Sequence, residues 1–244
     1  MTLTAGAQRP STWVRIRSTL VDRVLALALV PVVGPVIMAL AWRVYRADGR
    51  PAFVALDRVG LDGRVFRMWK LRTMWVRQSD GTAGGAVITS SHDERVTPIG
   101  RTLRRWRLDE LPQLVNVLRG EMALLGPRPE TPSLVDLGDE RWRAVLAVRP
   151  GIAGGTQLLV DRWEAAVLED GSQETCYRDE ILPVKLAVDR WYVENGSLLF
   201  DLRLTWSMAQ RFLLGRAVTS TERTVRAEVA EAAAVPIRRA AGFG

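Results

Sequence analysis

Residues 97–129 read TPIGRTLRRWRLDELPQLVNVLRGEMALLGPRP, and what this stretch can form decides the organisation around it. Leu108, Leu111, Val115 and Leu118 recur at helical spacing, and Gly120 supplies a stop. Pro112 has no N–H, so the Leu108 carbonyl loses its helical partner. Either a helix begins near Asp109 or a longer one kinks there. Both alternatives put Asp109 at a helix terminus, where unpaired N–H groups and the macrodipole favour an anion. Neighbours on a helix lie about 100° apart, so Asp109 and Glu110 are not expected to share a face. Separate jobs suit them: a nucleophile or metal ligand, and a ligand or general base. Arg95, Arg101, Arg104, Arg105 and Arg107 have no acid among them until Asp109, which points to a polyanionic substrate. Gly126-Pro127-Arg128-Pro129 is a stiff loop that aims the Arg128 fork at little ordering cost. The competing reading is structural: a capping Asp, a solvated Glu and a surface arginine face.

Upstream, residues 78–91 are polar and glycine-rich, the composition of a loop that closes over substrate. His92 follows, and a lone loop histidine reads as structural or solvated. Residues 47–76 alternate turn signals, Asp48-Gly49 and Asp62-Gly63, with apolar runs. Residues 53–56 and 65–69 are therefore expected to be strands of a small hairpin. Lys70 and Arg72, at i and i+2, share one face of a strand, where both could meet a diphosphate. An edge strand with solvated basic residues is the alternative.

From Val24 to Trp42 no residue is charged, a helical length of about 28 Å, close to one bilayer core. Pro31, Gly34 and Pro35 interrupt it, and proline kinks a helix. Basic residues flank both ends, Arg15, Arg17 and Arg23 before and Arg43, Arg46 and Arg50 after. The positive-inside rule then places both ends in the cytoplasm and predicts a hairpin bent at Gly34-Pro35. A simple span, a buried soluble helix and a signal peptide cleaved after Ala39-Leu40-Ala41 are the competing readings.

The chain has 244 residues, 34 basic against 27 acidic, for a net charge of +7. Lys70 and Lys185 are its only lysines. So strong an arginine bias is discounted as evidence of nucleic-acid binding. Basic charge with nine tryptophans and three tyrosines suits an anionic membrane surface. One cysteine, Cys176, excludes an intrachain disulfide and a cysteine metal cluster and agrees with a reducing compartment. A single histidine excludes a histidine-rich zinc site.

The string LDELPQLVNVLRGEMALLGPRP resembles the signature of the bacterial sugar transferases, the monotopic phosphoglycosyl transferases. Arg58, Gly60, Gly63, Phe66, Lys70, Arg72, Thr73 and Met74 also match that family's pattern, with Leu56 where Gln is usual. Asp22 and Pro35 fall where the family's re-entrant segment has them, with Gly34 where a Ser is common. Further on, Arg149-Pro150-Gly151-Ile152-Ala153-Gly154-Gly155-Thr156-Gln157 carries Gly155 and Thr156 in place of a Trp-Ala pair. Asp189, Tyr192, Val193, Asn195, Ser197 and Asp201 match the closing pattern. The resemblance covers about residues 17–214.

It implies an α+β, mostly helical monotopic membrane protein: a re-entrant helix-break-helix and amphipathic interfacial helices around a small β-hairpin. The expected layout is a mobile tail over 1–18, a membrane hairpin over 19–46, a catalytic domain over 47–214 and a tail over 215–244. Residues 133–149 are expected to form an amphipathic helix, and Leu202 to Leu214 an apolar one. The implied activity moves a sugar 1-phosphate from a nucleotide diphosphosugar to polyprenyl phosphate at the cytoplasmic face of the inner membrane. Asp109 would be the nucleophile, and Glu110 would hold Mg²⁺ with it or assist proton transfer. Arg128, Lys70, Arg72 and Arg104 are the phosphate-binding candidates. A lipid bilayer is an expected partner, nucleic acid is not, and a homodimer is allowed. A non-catalytic scaffold for glycan assembly is the alternative.

Overall fold

The computed structural model describes residues 10–75, 93–160, 164, 173–214 and 227. The expected loop over 78–91, His92 and the tail over 215–244 lie outside the described residues, save residue 227.

A single helical rod opens the chain. Helix α1 (Thr12–Ile16) passes through a π turn at Arg17–Val21 into α2 (Asp22–Asp48). Helix thus begins within the stretch expected to be a tail, and Val14 and Arg17 are buried there. The rod is also unbroken where a hairpin was expected, since α2 runs through Pro31 and Pro35. Each proline removes one donor, and the two sit four residues apart on the same face. The lost bonds therefore fall on one side of the helix, and the opposite side keeps its ladder. Gly49, with φ of 71°, ends the helix by donating to the Tyr45 carbonyl at 2.8 Å.

The rod is 37 residues long and apolar enough to cross a membrane. Val24, Leu27, Val32 and Met38 are each 64–68% exposed, an apolar surface whose burial calls for lipid. Yet both ends are packed on the rest of the protein. Val14 joins a core with Leu158, Val188 and Tyr192, and Ala41 and Val44 join one with Leu71 and Leu103. Ala26, between them, is fully buried against Met68, Leu114 and Met122.

The expected hairpin forms from β1 (Phe53–Val59) and β2 (Val65–Leu71), antiparallel from Phe53 opposite Leu71 to Val59 opposite Val65. Asp62 and Gly63, both at positive φ, make its turn. Next, α3 (Pro98–Arg105) starts on a Thr97 cap, whose Oγ1 accepts from Gly100 N at 2.9 Å. Gly100 packs so closely on the Thr73 backbone that a Cβ would lie 2.1 Å from its carbonyl oxygen.

Arg107 then takes a left-handed conformation (φ 51°), followed by a 3₁₀ turn at Leu108–Gln113 and α4 (Leu114–Arg119). The tighter turn is the answer to Pro112, and Gly120 (φ 75°) stops α4 as expected. A parallel pair, β3 (Ala123–Leu125) and β4 (Gly151–Ala153), brackets the Gly126-Pro127-Arg128-Pro129 loop.

The helix expected over 133–149 is reduced to a 3₁₀ turn at Pro132–Leu134 and α5 (Glu140–Val145). Asp136 and Asp139 explain the shortening. Their side chains accept from Gly138 N and Arg141 N, both at 2.8 Å, offering local bonds that compete with a helix. Short α6 (Gly155–Leu159) and α7 (Gln173–Cys176) precede a second π turn at Tyr177–Ile181. Helices α8 (Leu182–Asn195) and α9 (Leu198–Leu214) complete the described chain. Helix α9 is amphipathic: Phe200 and Leu204 are buried, whereas Leu198, Leu199, Leu202 and Trp206 are exposed.

Candidate active site

Asp109 and Glu110 lie in the 3₁₀ turn, only 6% and 5% exposed. The turn is held to the hairpin by Asn116, which is fully buried. Asn116 Oδ1 accepts from Trp69 N at 3.1 Å, and its Nδ2 donates to the Arg67 carbonyl at 2.8 Å. That clamp fixes the register in which β2 delivers Lys70. The Lys70 ammonium sits 2.9 Å from Glu110 Oε1 and 3.7 Å from Asp109 Oδ2. Adjacent carboxylates, expected to diverge, thus converge on one ammonium inserted between them. The compact Lys head group makes this convergence feasible.

Glu110 gathers two further cations. Arg107 Nη1 lies 3.5 Å from its Oε2, and Arg128 Nη2 lies 3.2 Å from its Oε1. Burial pushes the Glu110 carboxyl up, but Lys70, Arg128 and Arg107 outweigh it and hold it well below the usual carboxylate range. Arg128 is aimed by its stiff loop, as expected, and by Asp189, whose Oδ2 accepts from the Arg128 backbone N–H at 3.3 Å. Burial raises the Asp189 carboxyl to about 8, even with Lys185 and that N–H opposing.

Arg104 also reaches the site, its Nε donating to Thr73 Oγ1 at 2.9 Å. Burial pushes its guanidinium down, while Asp109 pulls it back. Arg72 departs from expectation. It shares a face with Lys70 but is 2% exposed and turned to the end of α2. Its Nη2 donates to the carbonyls of Asp48 (2.9 Å) and Gly49 (3.0 Å) and pairs with Asp48 Oδ2 at 3.1 Å. A cation on the last carbonyls of a helix is a C-terminal cap. Gly34 and Pro35 lie in the middle of α2 and line neither cavity beside the dyad.

Together these residues line a cavity of about 440 Å³. Five cationic residues (Arg58, Lys70, Arg104, Arg107, Arg128) line it with two carboxylates, Asp109 and Glu110, while Arg72, also in its wall, is engaged by Asp48. Such an excess suits a ligand with several negative charges. No group of three or more His, Cys, Asp or Glu that could hold a metal occurs among the described residues. The donor set does fit a hard divalent cation of one kind. Mg²⁺ is commonly held by one or two carboxylates plus the phosphates of a substrate, and Asp109 and Glu110 offer two.

Two features were missed in the sequence. In the sequence Arg107 is one of a run of arginines, and its left-handed backbone, which no local signal announces, accompanies its return onto Glu110. Glu130, Tyr177 and Lys185 form a buried cluster near Arg128, with Lys185 Nζ 3.0 Å from Glu130 Oε1. Separations of 47 residues (Tyr177 to Glu130) leave no local signal for such a cluster.

The profile of the bacterial sugar transferase family matches residues 13–215. A UDP-glucose:undecaprenyl-phosphate glucose-1-phosphate transferase of Caulobacter vibrioides is 34% identical over 207 residues, 84% of this chain and 72% of its own length. An undecaprenyl-phosphate glucose phosphotransferase of Komagataeibacter xylinus is 33% identical over 221 residues, 88% of this chain and 39% of its own length. A UDP-glucose:undecaprenyl-phosphate glucose-1-phosphate transferase of Escherichia coli is 31% identical over 192 residues, 76% of this chain and 38% of its own length. The chain therefore spans only about two fifths of the last two relatives. With the family profile matched across most of its length, the chain belongs to the bacterial sugar transferase family.

Proposed function

We propose that the protein transfers a sugar 1-phosphate from a nucleotide diphosphosugar, a UDP-sugar, to undecaprenyl phosphate, in the first membrane step of glycan assembly. The observation that carries this is the Asp109–Glu110 dyad, closed around Lys70 in a cavity where cations outnumber acids. The names of the relatives supply the classes of donor and acceptor.

An Asp109 carboxylate oxygen attacks the phosphorus that carries the sugar. The bond to the second phosphate breaks and nucleoside monophosphate leaves. An oxygen of the lipid phosphate then attacks the phospho-aspartate at phosphorus, which frees the carboxylate. Neither step consumes a proton overall. Glu110, held ionised by three cations, is a weak base, so a proton-transfer role is not favoured. Its charge holds Lys70, Arg107 and Arg128 where they can meet the diphosphate. Arg104 completes that wall, and Arg72 acts on the helix rather than on substrate. Asp109, Glu110 and the substrate phosphates would together hold Mg²⁺, which would neutralise charge as the phosphates separate.

The seating is monotopic, on the cytoplasmic face of the inner membrane. Both ends of the apolar rod are packed on one catalytic domain, which supports entry and exit by the same face. A non-catalytic scaffold remains the alternative, and the buried, cation-paired dyad counts against it. A panel of nucleotide sugars with undecaprenyl phosphate, scored for nucleoside monophosphate, tests the proposal. Release with none of them would refute it.

A further inference from the structure

A second cavity, of about 160 Å³, adjoins the first and shares Arg58, Lys70 and Arg128 with it. Its remaining polar wall comes from Gln113, Glu130, Thr131, Tyr177, Lys185 and Glu164. Tyr177 OH donates to Glu130 Oε1 at 2.7 Å and accepts from Lys185 Nζ at 2.7 Å. Lys185 also pairs with Glu130 Oε1 at 3.0 Å. Both contacts to Glu130 thus fall on one carboxylate oxygen, and the other keeps its acceptor capacity. Thr131 Oγ1 is buried with no hydrogen-bond partner among the described residues, and such a hydroxyl is costly unless something binds it.

The two cavities differ in lining. Around the dyad the polar wall is almost wholly cations and the two acids they pair, whereas the smaller cavity interleaves Arg58, Lys70, Arg128 and Lys185 with Glu130, Glu164 and the neutral Gln113, Thr131 and Tyr177. A lining of interleaved donors and acceptors is a poor seat for a second phosphate and a good one for a neutral polyol. At about 160 Å³ the cavity is little more than a third of the dyad cavity's 440 Å³, which suits one sugar ring better than a second charged diphosphate.

We propose that this cavity seats the sugar of the donor, with the Glu130 carboxylate and Thr131 hydroxyl reading its ring hydroxyls. Lys185, engaged with Tyr177, Glu130 and Glu164, holds that carboxylate in place. The assignment rests on the transferase reading above. It follows from the geometry that reading requires, because the sugar is bonded to the phosphorus that Asp109 attacks and must lie beside the dyad cavity.

The test uses the full chain in detergent with undecaprenyl phosphate, an accepted nucleotide sugar and its analogue lacking one hydroxyl. The readout is the ratio of kcat/KM for the two donors, in wild type, Thr131→Val and Tyr177→Phe. Thr131→Val removes a hydroxyl with no hydrogen-bond partner among the described residues, so folding should be little affected, and melting curves check both variants. Affinity for the nucleoside diphosphate alone, by calorimetry, is the companion measurement. For at least one hydroxyl position the ratio should fall about tenfold in a variant, the scale of one lost hydrogen bond to a bound hydroxyl. Nucleoside diphosphate affinity should stay within about twofold of wild type. Folded variants with unchanged ratios for every hydroxyl overturn the sugar seat and leave the transferase standing. A matching fall in nucleoside diphosphate affinity overturns it in favour of a nucleotide seat. A wild type that consumes no nucleotide sugar removes both readings together.

Discussion

Asp109→Asn and Glu110→Gln remove the same charge from neighbouring, equally buried side chains, and the contacts predict opposite consequences. Glu110 is the counter-ion of Lys70 at 2.9 Å, Arg128 at 3.2 Å and Arg107 at 3.5 Å. Among the described residues Asp109 makes one ion pair, with Lys70 at 3.7 Å, and acts on Arg104 from farther off. Breaking a buried pair costs about 3–5 kcal/mol when a charge is left uncompensated. Two discounts apply to Glu110→Gln: the Arg107 and Arg128 side chains are 24% and 30% exposed and can be resolvated, and Gln still accepts from Lys70. About 2 kcal/mol remains, or about 4–8 °C in melting temperature for a chain of this size. Asp109→Asn leaves Lys70 paired to Glu110, so it should cost less than about 1 kcal/mol, the scale of a weak ion pair. Turnover behaves the other way: the amide cannot act as nucleophile, and nucleoside monophosphate release should fall to background. Tryptophan-fluorescence melting in detergent and a monophosphate-release assay on the same preparations read both. Equal destabilisation by the two substitutions, or near-wild-type turnover by Asp109→Asn, would refute the division of labour.

Three further outcomes are expected. Excess EDTA should stop turnover and Mg²⁺ restore it, and full activity in the chelator would remove the metal. Arg72→Met should lower the melting temperature by the equivalent of about 3 kcal/mol, from loss of a buried pair and a helix cap. A raised KM at unchanged stability would instead return Arg72 to the phosphate site. Asp189, raised to about 8 from 3.8, keeps its proton in the folded protein between about pH 4 and 8, where the unfolded chain gives it up. Stability from this group therefore falls as pH rises through that window, so Asp189→Asn should flatten the melting curve from pH 5 to 8; parallel curves would rule this out.

What was legible in the sequence was local. Pro112 and Gly120 marked the boundaries of α4, Asp62-Gly63 fixed the hairpin turn, and the ordered signature named the dyad. What stayed hidden depends on tertiary meetings. Lys70 and Arg72 read alike as strand residues, and only the end of α2, arriving from one side, separates a site lysine from a helix cap. The prolines of α2 announced a break because an isolated helix would bend there. Packing at Val14, Ala26, Ala41 and Val44 holds the rod in place. Asp136 and Asp139 lay within an apolar pattern that promised a longer helix, and their local bonds took precedence.

The same packing sets the last prediction, that both ends of the apolar rod face the same side of the membrane. Ser11 N donates to the Val193 carbonyl at 2.8 Å, and Trp13 Nε1 donates to Asp201 at 2.8 Å. Arg17, 4% exposed, pairs with Asp22 at 2.7 Å and Asp201 at 2.9 Å and donates to the Leu125 carbonyl at 2.6 Å. At the far end, Asp48 is held by Arg72 at 3.1 Å. Pulling the first end across a bilayer would carry the Arg17–Asp22 pair with it, expose Val14 and leave buried Asp201 without Arg17, about 3–5 kcal/mol for that one charge. Lipid, meanwhile, is offered the exposed Val24, Leu27, Val32 and Met38 without any crossing. Single cysteines at Thr4 and Arg64, each in a Cys176→Ser background, report the two sides in intact cells. Both should resist an impermeant maleimide until the cells are opened. Labelling of the Thr4 position from outside, with the Arg64 position protected, would make the rod a simple span and end the monotopic reading.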